Sequence, residues 1–447
     1  MKKLFTTLSN IWKIQELRER IVFTLIILLV YRFVSHVVLP GVDATALDNN
    51  EKSGLLGLID MFAGGSFSRV SILALGVMPY ISASIVVQLL GIAVPTFQKM
   101  QKEGESGRNK LNQITRYLTV AITAVQAIGY VKTQVPVEAI LIDRTLFYVV
   151  STFVLAAGTL FVMWLGEKIT DKGIGNGISL IIMVGIIARL PIALYQEISS
   201  RFVGDGGLIA LVLEIVALFA VVMFTIMIVQ GVRKVPVQYA KRIVGNKQFG
   251  GVRQYIPLKV NAAGVMPIIF AQALMFIPMT LTSFFPTLQN TWLIQFSDYT
   301  SLAYSLTFAF LIIAFTFFYT AITVNPTQMS DDMKKNGGFI PGIKPGLATS
   351  SFIDDVISKI TFPGSIFLAI IAILPSLAVK FGLKSEFAHF YGGTSLLILV
   401  GVVLDTLQQI ESYLLMRHYD GLMKTGRVTG RAGIPATAAT TGSNAVI

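Results

Sequence analysis

Ten apolar runs, each about 20 residues long, constrain the fold of this 447-residue chain more than any other feature. About 20 helical residues cross a bilayer core, so each run is long enough for one membrane-spanning helix. The chain is 54% hydrophobic and 13% charged, with a mean hydropathy of +0.70. This composition excludes a water-soluble globular protein. The sequence therefore predicts an all-α polytopic membrane protein with spans at 21–39, 70–94, 114–132, 145–165, 174–195, 208–230, 260–283, 302–323, 360–379 and 394–416.

Lys and Arg are distributed unevenly between the two sides of the predicted membrane. Most of the 36 lie in segment 1–20, in the long loops 231–259 and 324–359, in shorter loops on the same side and in the tail 417–447. The positive-inside rule makes these segments, and hence both termini, cytoplasmic. Segment 1–20 mixes apolar and basic residues and is predicted to be an interfacial helix. The +12 net charge is then mainly a topology signal, although the basic loops could also contact RNA.

The segment 57–67 is apolar but too short to cross a bilayer. Gly64 and Gly65 near its end weaken any helix there and could act as a hinge. The uncharged run 70–94 follows it. Non-helical backbone survives at membrane depth only where protein or a water-filled cavity satisfies it. The pattern predicts a re-entrant element leading into a span beside a central cavity.

A four-residue repeat relates the two halves of the chain. Gly-Val-Met-Pro occurs at 76–79 in the second span and again at 264–267 in the seventh. Five spans per half is an odd number, so the halves 21–195 and 208–416 are predicted to be inverted relative to each other, with a path between them. An isoleucine follows two residues after each proline, Ile81 and Ile269. A single isoleucine in a span is ordinarily a packing residue, and only the repeat distinguishes these two.

Enzyme and cofactor motifs are missing from the sequence. There is no cysteine, only three histidines, and no Walker A, HExxH or G-x-S-x-G pattern. The chain is predicted to be neither an enzyme nor a metal or cofactor protein, so energy must come from outside it. A small-solute transporter would share the inverted repeat, and a membrane scaffold or receptor would share the basic loops; both remain alternatives. The end of the tail, 432–447, is rich in small residues and is predicted to be disordered or an addition outside the fold.

Several long stretches resemble the SecY family, the central subunits of the bacterial protein-conducting channel. The matching stretches extend to about Lys424 and are FAGGSFSRVSILALGVMPYISASIVVQLL, QKEGESGRNKLNQITRY, FVMWLGEKITDKGIGNGISLII, IPLKVNAAGVMPIIF, FFYTAITVNP, GGFIPGIKPG and YGGTSLLILVGVVLD. The resemblance implies a channel of ten helices that passes unfolded polypeptides across the bacterial plasma membrane and releases hydrophobic segments sideways into lipid.

The resemblance also assigns a pore ring and a plug. In the family, aliphatic side chains at the midpoint form the constriction, and the matching positions here are Ile81, Ile85, Ile178, Ile182, Ile269 and Ile398. A narrow apolar ring resists ions by denying them hydration. Segment 57–67 matches the plug, and we expect an element this short to be weakly held and to open at modest cost. Its residues of interest are Leu58, Ile59, Met61, Phe62, Gly64 and Gly65.

A lateral gate is implied between spans two and three on one side and spans seven and eight on the other. Uncharged polar side chains on these spans could hydrogen-bond across the seam, although ordinary helix packing explains each one equally well. They are Ser82, Ser84, Gln88, Gln126 and Gln272.

The basic loops are implied to be docking surfaces. In the family they receive the SecA motor ATPase or a translating ribosome, and the small subunits SecE and SecG complete the channel. The candidate residues are Arg233, Lys234, Lys241, Arg242, Lys247, Arg253, Lys334, Lys335 and Lys344. Lys344 replaces the arginine usual in the family; it keeps the charge but loses the bidentate guanidinium.

Overall fold

The computed structural model describes residues 12, 14–43, 60–203, 207–239, 242–244, 247–249, 253–284, 298 and 300–424. Leu58, Ile59, Lys241 and the tail from 425 lie outside the described residues. The described helices are α1 Gln15–Val34, α2 Met78–Ala93, α3 Pro95–Lys102, α4 Glu105–Gln134, α5 Arg144–Lys172, α6 Gly177–Val203, α7 Gly207–Gln230, α8 Met266–Phe284, α9 Leu302–Thr323, α10 Pro326–Lys335, α11 Leu347–Lys380, α12 Ser385–Ala388 and α13 Gly393–Lys424.

Each of the ten predicted spans contains a helix. Seven helices of the described chain are long and apolar enough to cross a membrane individually, and the bent pair α2 and α3 makes an eighth. The remaining two are α1, whose first turns carry charged residues, and α8, whose side chains from 276 onward lie outside the description. The predicted fold of ten helices is confirmed by these elements together with the structural relatives reported below.

The second span is shorter than the sequence predicts. We expected 70–94, but helix begins only at Met78, and residues 63–77 form successive turns broken by a bridge at Ser71. Hydropathy does not report backbone conformation, which is why the boundary was missed. The turn backbone is satisfied inside the protein, since Leu39 N–H donates to the Val70 carbonyl at 2.9 Å and Ile72 N–H to the Val37 carbonyl at 3.0 Å. At its other end α2 meets α3 at an angle of 103°.

The Gly-Val-Met-Pro repeat has the same local structure in both halves. Each copy starts a helix at its methionine, with proline as the second helical residue, where its missing N–H costs nothing. The glycine of each copy has a positive φ, 52° at Gly76 and 65° at Gly264, a conformation that glycine adopts without strain. The repeated turn therefore sets the start of α2 and of α8 at equivalent places in the two halves.

Two small sheets occupy part of the two long loops, which the sequence analysis did not predict. Strands β1 Val232–Tyr239 and β4 Arg253–Lys259 pair antiparallel, β5 Gly338–Phe339 joins β1, and β2 Arg242–Val244 pairs with β3 Lys247–Phe249. Val235 and Val237 alternate with exposed residues and pack with Leu258, α10 and the start of α11. That period-two alternation was the available signal. Helix α11 is about 51 Å long at 1.5 Å per residue, so it reaches from the membrane into this loop structure.

Candidate functional site

Five of the six isoleucines proposed for the pore ring meet in one apolar cluster. Ile81 comes from α2, Ile178 and Ile182 from α6, Ile269 from α8 and Ile398 from α13. These helices belong to both halves of the chain. Residues more than 300 positions apart in sequence therefore converge, as opposed bundles closing a path would require.

The sixth isoleucine, Ile85, lies one turn after Ile81 on α2 and is also buried, but it is not part of this cluster. At Ile178, close packing depends on glycine: a Cβ added to Gly166 of α5 would lie 2.7 Å from the Ile178 Cγ1. Close packing of α5 against α6 at Gly166 thus sets the position of the Ile178 side chain.

The described part of the predicted plug lies directly against the cluster. Met61 belongs to this cluster and Phe62 packs against it, and Asp60–Phe62 form a short helical turn. Gly65 N–H donates to the Asp60 carbonyl at 2.8 Å and Gly64 N–H to the Met61 carbonyl at 3.1 Å. With Gly64 at φ 64°, this is a Schellman motif, which ends the turn and needs glycine at that position.

The plug backbone touches α6 at a pair of glycines. A Cβ on Gly64 would lie 2.9 Å from the Gly185 Cα, and a Cβ on Gly185 would lie 2.8 Å from the Phe62 carbonyl oxygen. Side chains at either position would push the two backbones apart. Gly64 is thus a contact point as well as the proposed hinge.

Charged groups hold the plug in place. The Asp60 carboxylate is 2% exposed and forms an ion pair with Arg189 of α6. Its Oδ1 also accepts the Ser68 N–H at 2.8 Å. The Gly64 carbonyl accepts from Arg32 Nη1 of α1 at 2.8 Å and from Arg69 Nη2 at 3.1 Å. We call Asp60, Arg189, Arg32 and Arg69 the plug latch.

The latch bears on the expectation that the plug is weakly held, which stays a prediction. A short element buries little apolar area. However, removing one partner of a buried ion pair destabilises a protein by several kcal/mol, because the other charge is left buried and unpaired. Arg189 was overlooked in the sequence although it lies inside the predicted span 174–195, where an ionisable residue marks a functional position by default. Asp60 lies 129 residues away in the chain, so no local pattern could pair the two.

A second ionic cluster joins the last helix of the first half to the first helix of the second. Arg201 of α6 contacts Glu197 at 3.0 Å and Glu214 of α7 at 2.5 Å. Glu197 also accepts the Lys384 N–H at 2.9 Å, and Arg201 donates to the Gly382 carbonyl at 3.0 Å. The cluster therefore connects α6 to α7 and to the segment after α11.

Replacing Arg201 with Gln should lower the thermal unfolding midpoint of the purified chain. The change leaves two buried carboxylates without their cation, a loss of about 3 to 5 kcal/mol for a broken buried pair. Glu214→Gln is the matched control, because one carboxylate still pairs with Arg201, and its midpoint should remain closer to that of the unmodified chain. Equal midpoints for the two variants would contradict a stabilising role for the cluster.

The polar residues proposed for the lateral gate do not meet across one seam. Ser82 Oγ donates to the Met78 carbonyl at 3.1 Å and Gln88 Nε2 to Ser84 Oγ at 3.3 Å, both within α2. Gln126 is half-buried on α4, and α4 contacts α8. Gln272 of α8 is buried and faces a cavity inside the second half. Within the described residues no hydrogen bond joins Gln272 to the other four.

The basic residues of the loops are exposed wherever their side chains are described. Arg233 and Lys234 lie on β1, Lys334 and Lys335 end α10, and Lys344 lies in the turn before α11. Lys335 is 3.7 Å from Asp332, and the Lys344 carbonyl accepts the Thr349 hydroxyl at 2.9 Å. Arg242, Lys247 and Arg253 lie on β2, β3 and β4. Strands β1 and β4 pair with each other, whereas β2 and β3 form a separate pair.

Comparison with known proteins agrees with this geometry. The SecY family model matches residues 71–407. A protein translocase subunit SecY from Halalkalibacterium halodurans is 43% identical over 436 residues, covering 94% of this chain and all of the relative. The Bacillus subtilis protein of the same description is 42% identical over 432 residues, again covering 94% of this chain and all of the relative.

Solved structures share the fold. A structure described as a protein conducting channel has a TM-score of 0.65 at 18% identity, covering 88% of this chain and 92% of that one. Sec61 in the canine ribosome-channel complex has a TM-score of 0.61 at 17% identity, with the same two coverages. On the identity and coverage of the translocase relatives, the chain belongs to the SecY family.

Proposed function

We propose that the five clustered isoleucines, with Ile85, form the constriction of this translocase subunit. The observation that carries the proposal is the convergence of α2, α6, α8 and α13 on one apolar cluster in contact with Met61 and Phe62. A ring of this kind excludes hydrated ions because its walls offer no hydrogen bonds, while an extended polypeptide can displace the side chains. As a member of its family the chain is a channel subunit and not an enzyme.

The segment 57–67 acts as the plug on the outer side of this constriction. The place of Met61 and Phe62 in the same apolar cluster as the isoleucines supports that role, and so does the latch that ties Asp60 and Gly64 to α1 and α6. Opening then requires Asp60 to leave Arg189. An incoming chain that wedges the halves apart would separate them, since Arg189 belongs to the helix that carries two of the ring residues.

The lateral exit lies where α4 faces α8, between the two halves. Contact between these helices supports this position. Ser82, Ser84, Gln88 and Gln126 belong to one wall of that exit, and Gln272 belongs to the helix of the opposite wall although its side chain faces away. Hydrophobic segments of a substrate leave through this exit into the lipid bilayer.

The partners are SecE, SecG, the SecA motor ATPase, the ribosome, and secretory and membrane protein substrates. The exposed cations of β1, α10 and the turn before α11 support docking of SecA or of ribosomal RNA phosphates. Solved relatives of the fold include a canine and a yeast channel bound to ribosomes. The membrane is the bacterial plasma membrane with both termini cytoplasmic, supported by the side on which the basic loops lie.

Reversing Arg233 and Lys234 together to Glu should weaken docking of SecA or the ribosome by about 10-fold at low salt, because each lost phosphate or carboxylate contact removes an electrostatic term. Affinity is measured at several salt concentrations, and the variant should show a shallower salt dependence. Lys380→Glu is the control. It also reverses an exposed positive charge, but it lies at the end of α11 that is remote from β1. Equal losses in both variants would remove this surface from the docking site.

Reconstitution tests the function as a whole. Proteoliposomes that contain this chain with its small subunits, supplied with SecA and ATP, should convert an unfolded secretory precursor to a protease-protected form. Liposomes without the chain are the control. Precursor that remains fully accessible to protease in both would contradict the proposal.

A further inference from the structure

A cavity of about 30 Å³ lies inside the second half, away from the ring and plug. It is lined by residues of α8, α9 and α11 and of the segment that leads into α13. About 10 to 15 Å³ of such volume holds one water molecule, so the space is enough for about two. The volume therefore fits water molecules.

The lining is mainly apolar, but it includes five polar side chains inside a spanning region. Gln272, Ser305, Ser376, His389 and Thr394 come from all the elements that line the cavity. Ser305 Oγ donates to the Ser301 carbonyl at 3.1 Å and lies 3.4 Å from Ser376 Oγ. A cavity of this size holds ordered water where about two to four polar groups can bind each molecule, and these side chains supply such groups.

Gln272 is the residue that most needs a ligand there. Its side chain is 7% exposed and lines the cavity, and its Nε2 has no hydrogen-bond acceptor among the described residues. A buried amide donor without an acceptor is strongly unfavourable. A water molecule in the cavity would accept from Nε2 and donate onward to the serine hydroxyls.

We propose that this cavity is a hydration site holding about two ordered water molecules that satisfy Gln272. The site lies beside α8, one turn beyond the ring residue Ile269. The flank of α8 that carries Gln272 is thus packed against ordered water and not only against side chains. This assignment is independent of the ring and plug.

The test combines a high-resolution cryo-EM map of the full chain in its complex with thermal unfolding of variants. One density peak should lie within hydrogen-bond distance of Gln272 Nε2, and a second should lie beside it in the cavity. Gln272→Met keeps the volume and removes both donors, so it should remove one peak and lower the unfolding midpoint by about 1 °C or more. Gln126→Met, half-buried on α4, is the matched control for a Gln to Met change in a spanning helix.

The alternative gives the opposite results. If the cavity is dry, Gln272 is an uncompensated buried donor, and Gln272→Met should raise the midpoint above those of the unmodified chain and of Gln126→Met. An empty cavity in the map, or a raised midpoint for Gln272→Met alone, would overturn the hydration site. Translocation of a secretory precursor by the same preparations shows separately that the channel is intact.

Discussion

Replacing Asp60 with Asn should make the resting channel conduct ions. The change leaves the Arg189 guanidinium without its buried counter-ion and removes one side of the latch. Breaking such a pair costs about 3 to 5 kcal/mol, and even the lower value would raise the population of channels with a displaced plug by about 100-fold. The measurement is conductance in planar bilayers without substrate, where the unmodified channel should be closed.

The double variant Asp60→Asn with Arg189→Gln is the control for this result. Removing both charges leaves no buried ion uncompensated, so the double variant should conduct less than Asp60→Asn alone. Conductance of Asp60→Asn equal to that of the unmodified channel would show that the ion pair does not hold the plug.

Replacing Ile182 and Ile398 together with Ser should produce a leak of a different origin. The two residues stand on α6 and α13, in different halves, and both pack in the ring cluster. Each substitution removes about three buried carbon atoms and adds a hydroxyl, so water enters the constriction more easily and the conductance should rise by about 10-fold or more. The plug latch is unchanged in this variant.

Ile268→Ser is the control that distinguishes hydration of the ring from a general loss of core packing. Ile268 is fully buried beside Ile269 but packs in the core of the second half, among α8, α9 and α11. It should lower the thermal unfolding midpoint without a comparable leak. A leak from Ile268→Ser as large as that of the ring variant would mean that loss of packing, and not hydration of the ring, opens the channel.

Much of the fold followed from the sequence, because the bilayer imposes simple rules on length and charge. Every predicted span contains a helix, and the Gly-Val-Met-Pro repeat proved to be a repeated turn with the same glycine conformation. The start of α2 at Met78 was missed, since residues 63–77 are as apolar as a helix but are satisfied by tertiary hydrogen bonds. The composition of a segment indicates whether it lies in an apolar environment, but it does not indicate its backbone conformation.

Contacts between distant residues were the part that the sequence could not supply. Asp60 with Arg189 and Arg201 with Glu214 bring together side chains from separate elements, and a pattern within one element cannot pair them. The direction of Gln272 was also missed, because the rotation of α8 about its axis is set by packing against α9, α4 and α13. In contrast, the strand alternation at Val235 and Val237 was visible and was overlooked.

The central claim is that isoleucines from both halves surround the translocating chain, and crosslinking tests it most directly. The sequence has no cysteine, so single cysteines at Ile81 and Ile269 provide unique reporters on α2 and α8. A secretory chain arrested during transport, carrying one cysteine in the arrested region, should form disulfides with both positions, while a cysteine at Ile268 should not react. If neither Ile81→Cys nor Ile269→Cys crosslinks to the arrested chain, the polypeptide does not pass between these helices and the account is wrong.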